Sequence, residues 1–286
     1  MKIFHTIADI RAQIRLAQCA SKSVALVPTM GSLHAGHLQL VSRAKEIADV
    51  CVVTIFINPT QFGEGEDFDS YPRDLGKDLN VLEELCPDAL VFVPSIEEMY
   101  AGGATRTWVN NDEMAKYLCG ASRPGHFQGV LTVVSKLFNA CPADIAVFGL
   151  KDVQQFFLIK KMVVDLNINI SIEGVPTVRE EDGLALSSRN RKLSPEERDQ
   201  APFLSRAIFA ARTEIEEGVR DGGQIEARMA QELAAATHGK IDYAQVVLTT
   251  DLAPVDTIRS GDIIIAAVAV FFSNARLIDN VIIVVP

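Results

Sequence analysis

No run of this 286-residue sequence is apolar for long enough to cross a membrane as a helix. The longest uninterrupted stretch, Ile263 to Phe272, has ten residues, whereas a spanning helix needs about 20. The first fifteen residues carry Asp9, Arg11 and Arg15 where a secretory signal has its apolar segment, so no export signal is read and a cytoplasmic protein is expected. Cysteine is scarce: Cys19, Cys51, Cys86, Cys119 and Cys141 lie at least 22 positions apart and form no C-x-x-C pair. That spacing argues against a disulfide framework or a zinc knuckle. Cys51, inside an apolar run, reads as a small buried hydrophobe. An excess of positive charge is also absent, because 27 Lys and Arg stand against 37 Asp and Glu for a net charge of −10. Residues 1–176 and 177–286 carry −5 each, so neither part offers a basic face for nucleic acid.

What is present suits an ordinary globular protein. The chain is 48% hydrophobic and 22% charged, and its length accommodates two domains. Short β-branched runs at Val24–Val27, Val50–Ile57, Ala89–Val93, Asp144–Phe148 and Ile168–Ile172 predict buried parallel strands. Helical patterns at Leu38–Ala48, Leu75–Leu85, Gly129–Ala140 and Val153–Val164 separate them, which predicts an α/β fold with a doubly wound, Rossmann-like parallel sheet over residues 1–176. After Pro176 the pattern changes. Ser194-Pro-Glu-Glu197 is a strong helix start, a second helix is expected over Gly223–Ala236, and strands follow at Tyr243–Leu248, Asp262–Phe272 and Leu277–Val285. Residues 177–286 therefore read as a smaller α+β domain.

The chemistry concentrates at segments beside strand ends and helix starts. Pro28-Thr-Met-Gly-Ser-Leu-His-Ala-Gly-His37 follows the first predicted strand and opens a helix. In such a sheet this is where ligands bind. Gly31 allows a tight turn, Gly36 allows close approach to the backbone, and the helix end offers N–H groups and positive dipole charge to an anion. His34 and His37, three apart, project toward the same point. A purely capping histidine is the competing reading, while zinc lacks a third ligand. In Phe148-Gly-Leu-Lys-Asp-Val-Gln-Gln155, Lys151 can neutralise phosphate, Asp152 can accept from ribose hydroxyls and Gln155 can offer a neutral donor and acceptor. An exposed helix start is the alternative there. The polar stretch from Val178 to Asn190 contains Ser187, Ser188 and Arg189, which can wrap phosphate oxygens. An ordinary linker turning at Asp182-Gly183 is the alternative. Asn58-Pro-Thr-Gln61 and Arg123-Pro-Gly-His126 fit the same cleft.

These segments, in this order and over essentially the whole chain, resemble the pantothenate synthetase (pantoate–β-alanine ligase) family of the His-x-Gly-His nucleotidyltransferases. The resemblance implies ATP-driven joining of pantoate to β-alanine through a pantoyl adenylate, with Mg²⁺ accompanying ATP and a homodimeric enzyme. It implies a catalytic set of His34, His37, Lys151 and Arg189. ATP contacts map onto Pro28, Thr29, Met30, Gly31, His34, Gly36, His37, Gly149, Leu150, Lys151, Asp152, Val178, Leu186, Ser187, Ser188 and Arg189. Pantoate contacts map onto Gln61 and Gln155. Two departures stand out. Leu186 replaces the Met common in relatives, a volume-conserving change, and Lys77 sits in a neighbourhood that is often more acidic, so no metal contact is carried over to Asp78. The protein ligands of Mg²⁺ stay open. The rival classes are another nucleotidyltransferase, such as a cytidylyltransferase or a tRNA ligase, and a catalytically silent nucleotide-binding module.

Overall fold

The computed structural model describes residues 1–286 apart from positions 64, 67, 70, 102 and 104. In chain order the elements are β1 Lys2–Phe4, α1 Ile7–Cys19, β2 Val24–Thr29, α2 Ala35–Ile47, β3 Val50–Ile55, α3 Leu75–Leu85, β4 Leu90–Phe92 and α4 Ile96–Met99. They continue with α5 Asp112–Ala115, α6 Leu118–Ser122, α7 His126–Ala140, β5 Ile145–Gly149, α8 Val153–Asp165 and β6 Ser171–Val175. The last are α9 Pro195–Gln200, α10 Phe203–Glu216, α11 Gly222–Leu233, β7 Lys240–Leu248, β8 Ile263–Phe271 and β9 Arg276–Val284. Among the described residues no helix is long and apolar enough to cross a membrane.

Contacts divide the chain into two units. The first comprises Met1–Asn111, Arg123–Leu150 and Gln155–Pro176, and the second comprises Asp112–Ser122, Lys151–Gln154 and Thr177–Pro286. In the first, six strands pair in parallel in the order β1-β4-β3-β2-β5-β6. Successive strands run outward from β2 to β3 and β4, and the chain then returns to add β5 and β6 on the other side. The strand order thus reverses between β2 and β5, which makes their carboxyl ends the switch point where such sheets bind ligands. Val24, Ala25, Leu26 and Val27 are fully buried, as a strand covered on both faces requires.

The second unit holds an antiparallel sheet in the order β7-β8-β9 with α10 and α11 packed on it. Ile264, Ala266, Val268 and Val270 alternate along β8 into one core with Leu204, Ile208, Ile225 and Met229. Helix α9 starts as its sequence predicts: Ser194 Oγ accepts the Glu197 N–H while Glu197 bonds back to the Ser194 N–H.

The sequence reading differs from the structure at both edges of the parallel sheet. Strand β1 and helix α1 precede the first predicted strand. The last strand of the parallel sheet runs Ser171–Val175, not Ile168–Ile172. A Cβ on Gly174 would lie 2.9 Å from Leu150 Cδ2 and 3.0 Å from Phe156 Cζ. Side-chain tips of Leu150 and Phe156 thus close over a glycine inside the strand, where it weakens the local pattern.

Candidate active site

The turn leaving β2 is held by residues far away in sequence. Gly31 and Ser32 both have left-handed backbones, at φ +79° and +51°. Thr29 Oγ1 donates to the Thr54 carbonyl at 2.7 Å and accepts the Gly31 N–H at 3.2 Å. Asp78, only 2% exposed, accepts the N–H groups of Ser32 and Leu33 through its two carboxylate oxygens at 2.8 and 2.7 Å. A Cβ on Gly31 would meet Asp78 Oδ2 at 2.9 Å, so the left-handed turn and the close carboxylate both require glycine there. A cavity of about 300 Å³ borders this turn, lined in part by Met30, Gly31, Phe56, Arg73, Asp78 and Ser95.

His34 is the N-cap of α2. Its Nδ1 accepts the Gly36 N–H at 3.1 Å, and His37 Nδ1 accepts the His34 N–H at 3.4 Å, a capping box built from two histidines. The rings lie against each other with centroids 4.1 Å apart and planes tilted by 34°. Since each Nδ1 accepts, each neutral ring carries its proton on Nε2. Capping and anion binding are thus compatible in the same two side chains, because they use different ring nitrogens. A Cβ on Gly36 would lie 2.9 Å from His34 Cε1. The glycine therefore makes room for the His34 ring.

At the end of β3, Asn58 caps the 3₁₀ turn Pro59–Gln61. Its Nδ2 donates to Gln61 Oε1 at 3.1 Å and to the Gly129 carbonyl at 3.2 Å. Gln61 Nε2 lies 3.0 Å from Met30 Sδ. Behind the turn, Arg123 binds both Glu66 oxygens, at 2.7 and 2.6 Å, and its Nη1 lies 2.9 Å from His126 Nε2. The other ring nitrogen of His126 faces the Gln61 carbonyl at 2.8 Å; since a carbonyl only accepts, His126 Nδ1 donates and its Nε2 accepts from Arg123. The Arg123 guanidinium holds the Glu66 carboxyl below the usual range. Gln155, half-buried in the first turn of α8, belongs to this unit as well.

Within the second unit, Lys151 and Asp152 lie on the 3₁₀ turn Leu150–Asp152, with Lys151 Nζ 3.9 Å from Asp152 Oδ1. Asn280 of β9 donates to the Lys151 carbonyl at 2.9 Å. The adjacent Asp279 binds Arg179 through both its oxygens at 2.6 and 3.0 Å. Burial pushes the Asp279 carboxyl up, and the guanidinium opposes that. Arg179 in turn donates to the Gly183 carbonyl, and the Leu186 N–H bonds to the Val178 carbonyl at 2.9 Å. The stretch from Val178 to Leu186 is thus folded back on itself, turning at Gly183 with φ +91°. It ends where Ser187 Oγ accepts the Arg189 N–H at 3.2 Å and starts the 3₁₀ turn Ser188–Lys192. Gln154, next to Gln155, is 3% exposed and donates to the Met114 and Tyr117 carbonyls, a structural task.

The first unit therefore brings together Pro28–Gly31, His34, Gly36, His37 and Asp78, and separately joins Gln61 to Met30. The second joins Lys151 and Arg179 to neighbouring positions of β9. Sequence reasoning set Asp78 aside and gave no role to Tyr100 or Glu66, which contact Asn58 and Arg123. Asp78 caps a turn 45 residues upstream, and no local pattern announces such a partner.

A parallel sheet with a switch point, a His-x-Gly-His turn at one of its strand ends and a second α+β unit defines an α/β nucleotidyl-transferring enzyme. The model of the pantoate-beta-alanine ligase family matches residues 2–282. Pantothenate synthetase of Salinibacter ruber is 50% identical over 100% of this chain and 99% of its own length, and that of Acetivibrio thermocellus is 48% identical over 99% of each. The crystal structure of pantothenate synthetase from Thermus thermophilus superposes with a TM-score of 0.89 at 44% identity, over 98% of this chain and 99% of that one. Pantoate-beta-alanine ligase from Francisella tularensis, complexed with beta-gamma ATP and beta-alanine, gives 0.79 at 32% identity over 98% and 97%. The chain belongs to the pantoate–β-alanine ligase family, and it is an enzyme of that ligase class.

Proposed function

We propose that the chain condenses pantoate with β-alanine by adenylation. The pantoate carboxylate attacks the α-phosphate of ATP and pyrophosphate leaves. The β-alanine amine then attacks the pantoyl adenylate and expels AMP. Bringing a carboxylate onto a polyanion makes charge neutralisation and in-line positioning the main demands. The observation that carries this reading is the paired-histidine cap. His34 and His37 spend Nδ1 on backbone N–H groups, so Nε2–H of each is the donor for phosphate oxygens at a helix end whose dipole already favours an anion.

Lys151 and Arg189 add positive charge, and the Ser187 and Ser188 hydroxyls hold phosphate oxygens. Pro28, Thr29, Met30, Gly31, Gly36, Gly149, Leu150, Asp152, Val178 and Leu186 contact the nucleotide. Gln61 and Gln155 recognise pantoate. Residues 1–176 act as the ATP- and pantoate-binding domain. Residues 177–286 act as a lid that keeps water from the adenylate, a mixed anhydride that hydrolyses readily. These assignments rest on the resemblance of the motifs that carry them to those of the family.

Mg²⁺ enters with ATP as part of the substrate. Among the described residues no group of three or more His, Cys, Asp or Glu could hold the ion, and both Asp78 oxygens already accept N–H groups. Phosphate oxygens and water are its natural ligands. A homodimer follows from family resemblance and is checked by light scattering. The five free cysteines fit a reducing cytoplasm.

The test is exchange of labelled pyrophosphate into ATP. Exchange should require pantoate and Mg²⁺ but not β-alanine, and CTP or amino acids should not replace ATP or pantoate. Release of ADP in place of AMP would overturn the adenylate route in favour of an acyl phosphate.

A further inference from the structure

Tyr100, Asn58 and Gln61 form a buried hydrogen-bonded chain whose direction is set by groups with only one possible role. The Thr60 backbone N–H only donates, and it faces one atom of the Asn58 amide at 3.4 Å, so that atom is Oδ1. The Gly129 carbonyl only accepts, and it faces the other at 3.2 Å, so that one is Nδ2. Nδ2 also donates to Gln61 at 3.1 Å, which makes the facing Gln61 atom Oε1. What Gln61 has left is its Nε2 edge, against Met30 Sδ, a weak acceptor. At the other end of the chain Tyr100 donates its hydroxyl to Asn58 Oδ1 at 2.6 Å, the shortest bond of the set, and Thr60 Oγ1 adds a second hydroxyl donor at 3.0 Å.

We propose that Tyr100 is a positioning residue for recognition of pantoate: it holds Asn58, and through Asn58 holds Gln61 with the amide N–H edge turned to a substrate oxygen. This rests on the reading of Gln61 as a pantoate contact. Tyr100 and Asn58 are 3% and 1% exposed, so water does not compete for these bonds. Burial also pushes the Tyr100 hydroxyl up, which keeps it a donor. Rotating the Asn58 amide would set its NH₂ against the Thr60 backbone N–H and its oxygen against the Gly129 carbonyl. Rotating Gln61 alone would set two NH₂ groups face to face. In a buried network such mismatches are costly, so the donor edge of Gln61 is fixed before substrate arrives. An edge that only donates favours a carboxylate or hydroxyl oxygen as acceptor and disfavours a ligand with an N–H group there. Tyr100 does not touch substrate in this scheme, and its effect passes through Gln61 alone.

The experiment is a double-mutant cycle with Tyr100→Phe and Gln61→Ala in the full chain, following KM for pantoate, KM for ATP and kcat. The phenylalanine keeps the ring against Phe56 and removes one oxygen, so packing is retained. Tyr100→Phe should raise KM for pantoate about three- to tenfold, the factor a single hydrogen bond carries. KM for ATP and kcat at saturating pantoate should stay within twofold. In the Gln61→Ala background the same substitution should have no further effect, because the group it orients is gone. An unchanged KM for pantoate in Tyr100→Phe, or an equal increase in both backgrounds, overturns the proposal. A Gln61→Ala enzyme with unchanged KM for pantoate instead overturns the assignment of Gln61 on which it rests.

Discussion

Asp78 Oδ1 accepts the backbone N–H of Leu33 at 2.7 Å, and its other oxygen takes the N–H of Ser32, so one carboxylate on α3 sets the shape of the histidine-bearing turn. Asp78→Ala should leave those two N–H groups without their partner, at about 1–3 kcal/mol for each that stays unsatisfied. Urea unfolding measures that loss. The turn should also relax, so pyrophosphate exchange should fall by more than the loss of folded protein explains. Exchange at wild-type rate in the folded fraction would mean that the turn keeps its shape without the carboxylate.

The contact between α7 and the Pro59–Gln61 turn leaves no room for a side chain. A Cβ on Gly129 would clash with the Thr60 carbonyl oxygen and stand 2.7 Å from Gln61 Cα. Both atoms are backbone and cannot swing aside. Gly129→Ala should therefore destabilise the chain by about 1–3 kcal/mol, as overpacking does. Because the turn must move, KM for pantoate should rise with it. A variant of unchanged stability measured by denaturant titration would show that the helix can shift freely.

The Arg123–Glu66 pair makes a prediction about acid. Its hydrogen bonds from Arg123, the largest cause, hold the Glu66 carboxyl below its ordinary value in the folded chain. A depressed carboxyl contributes stability that is fully present above its unfolded pKa, about 4.3, and is lost as pH falls through the lower folded value. The stability gap between wild type and Glu66→Gln should thus be constant above about pH 5.5 and shrink below about pH 4. Denaturant midpoints across this range check it, and a gap that widens on acidification would contradict the sign.

The sheet was legible wherever strands were continuous β-branched runs and turns carried their own chemistry. β2 and the capping box at Ser194 and Glu197 are of that kind. β1 was not, since three residues with Ile3 43% exposed leave almost no pattern. Helix α1 buries Ile10 and Ile14 four apart, a helical signal too sparse to stand out in a segment with few other apolar positions on that face. The site divides in the same way. His34 and His37 share one short motif with a stated geometry. Asp78 and Tyr100 act on positions 42 to 46 residues away, through contacts that exist only once the sheet brings β2, β3 and β4 together. One-dimensional spacing does not encode such contacts.

The last prediction separates the two tasks of His34. As N-cap of α2 it accepts the Gly36 N–H, and a histidine that only caps would be replaceable by any good capping residue. Asparagine is among the best of these. It accepts the same N–H through a side-chain oxygen but lacks the Nε2–H of the ring. His34→Asn should therefore keep α2 intact, with stability within about 1 kcal/mol of wild type. If the imidazole also donates to phosphate in the transition state, pyrophosphate exchange should drop about 10²- to 10³-fold, the range found when one preorganised donor to a developing oxyanion is removed. KM for pantoate should move far less, since the lost group addresses phosphate and not the carbon skeleton. Full exchange activity in a stable His34→Asn enzyme would return His34 to capping alone and leave His37 as the donor of the pair.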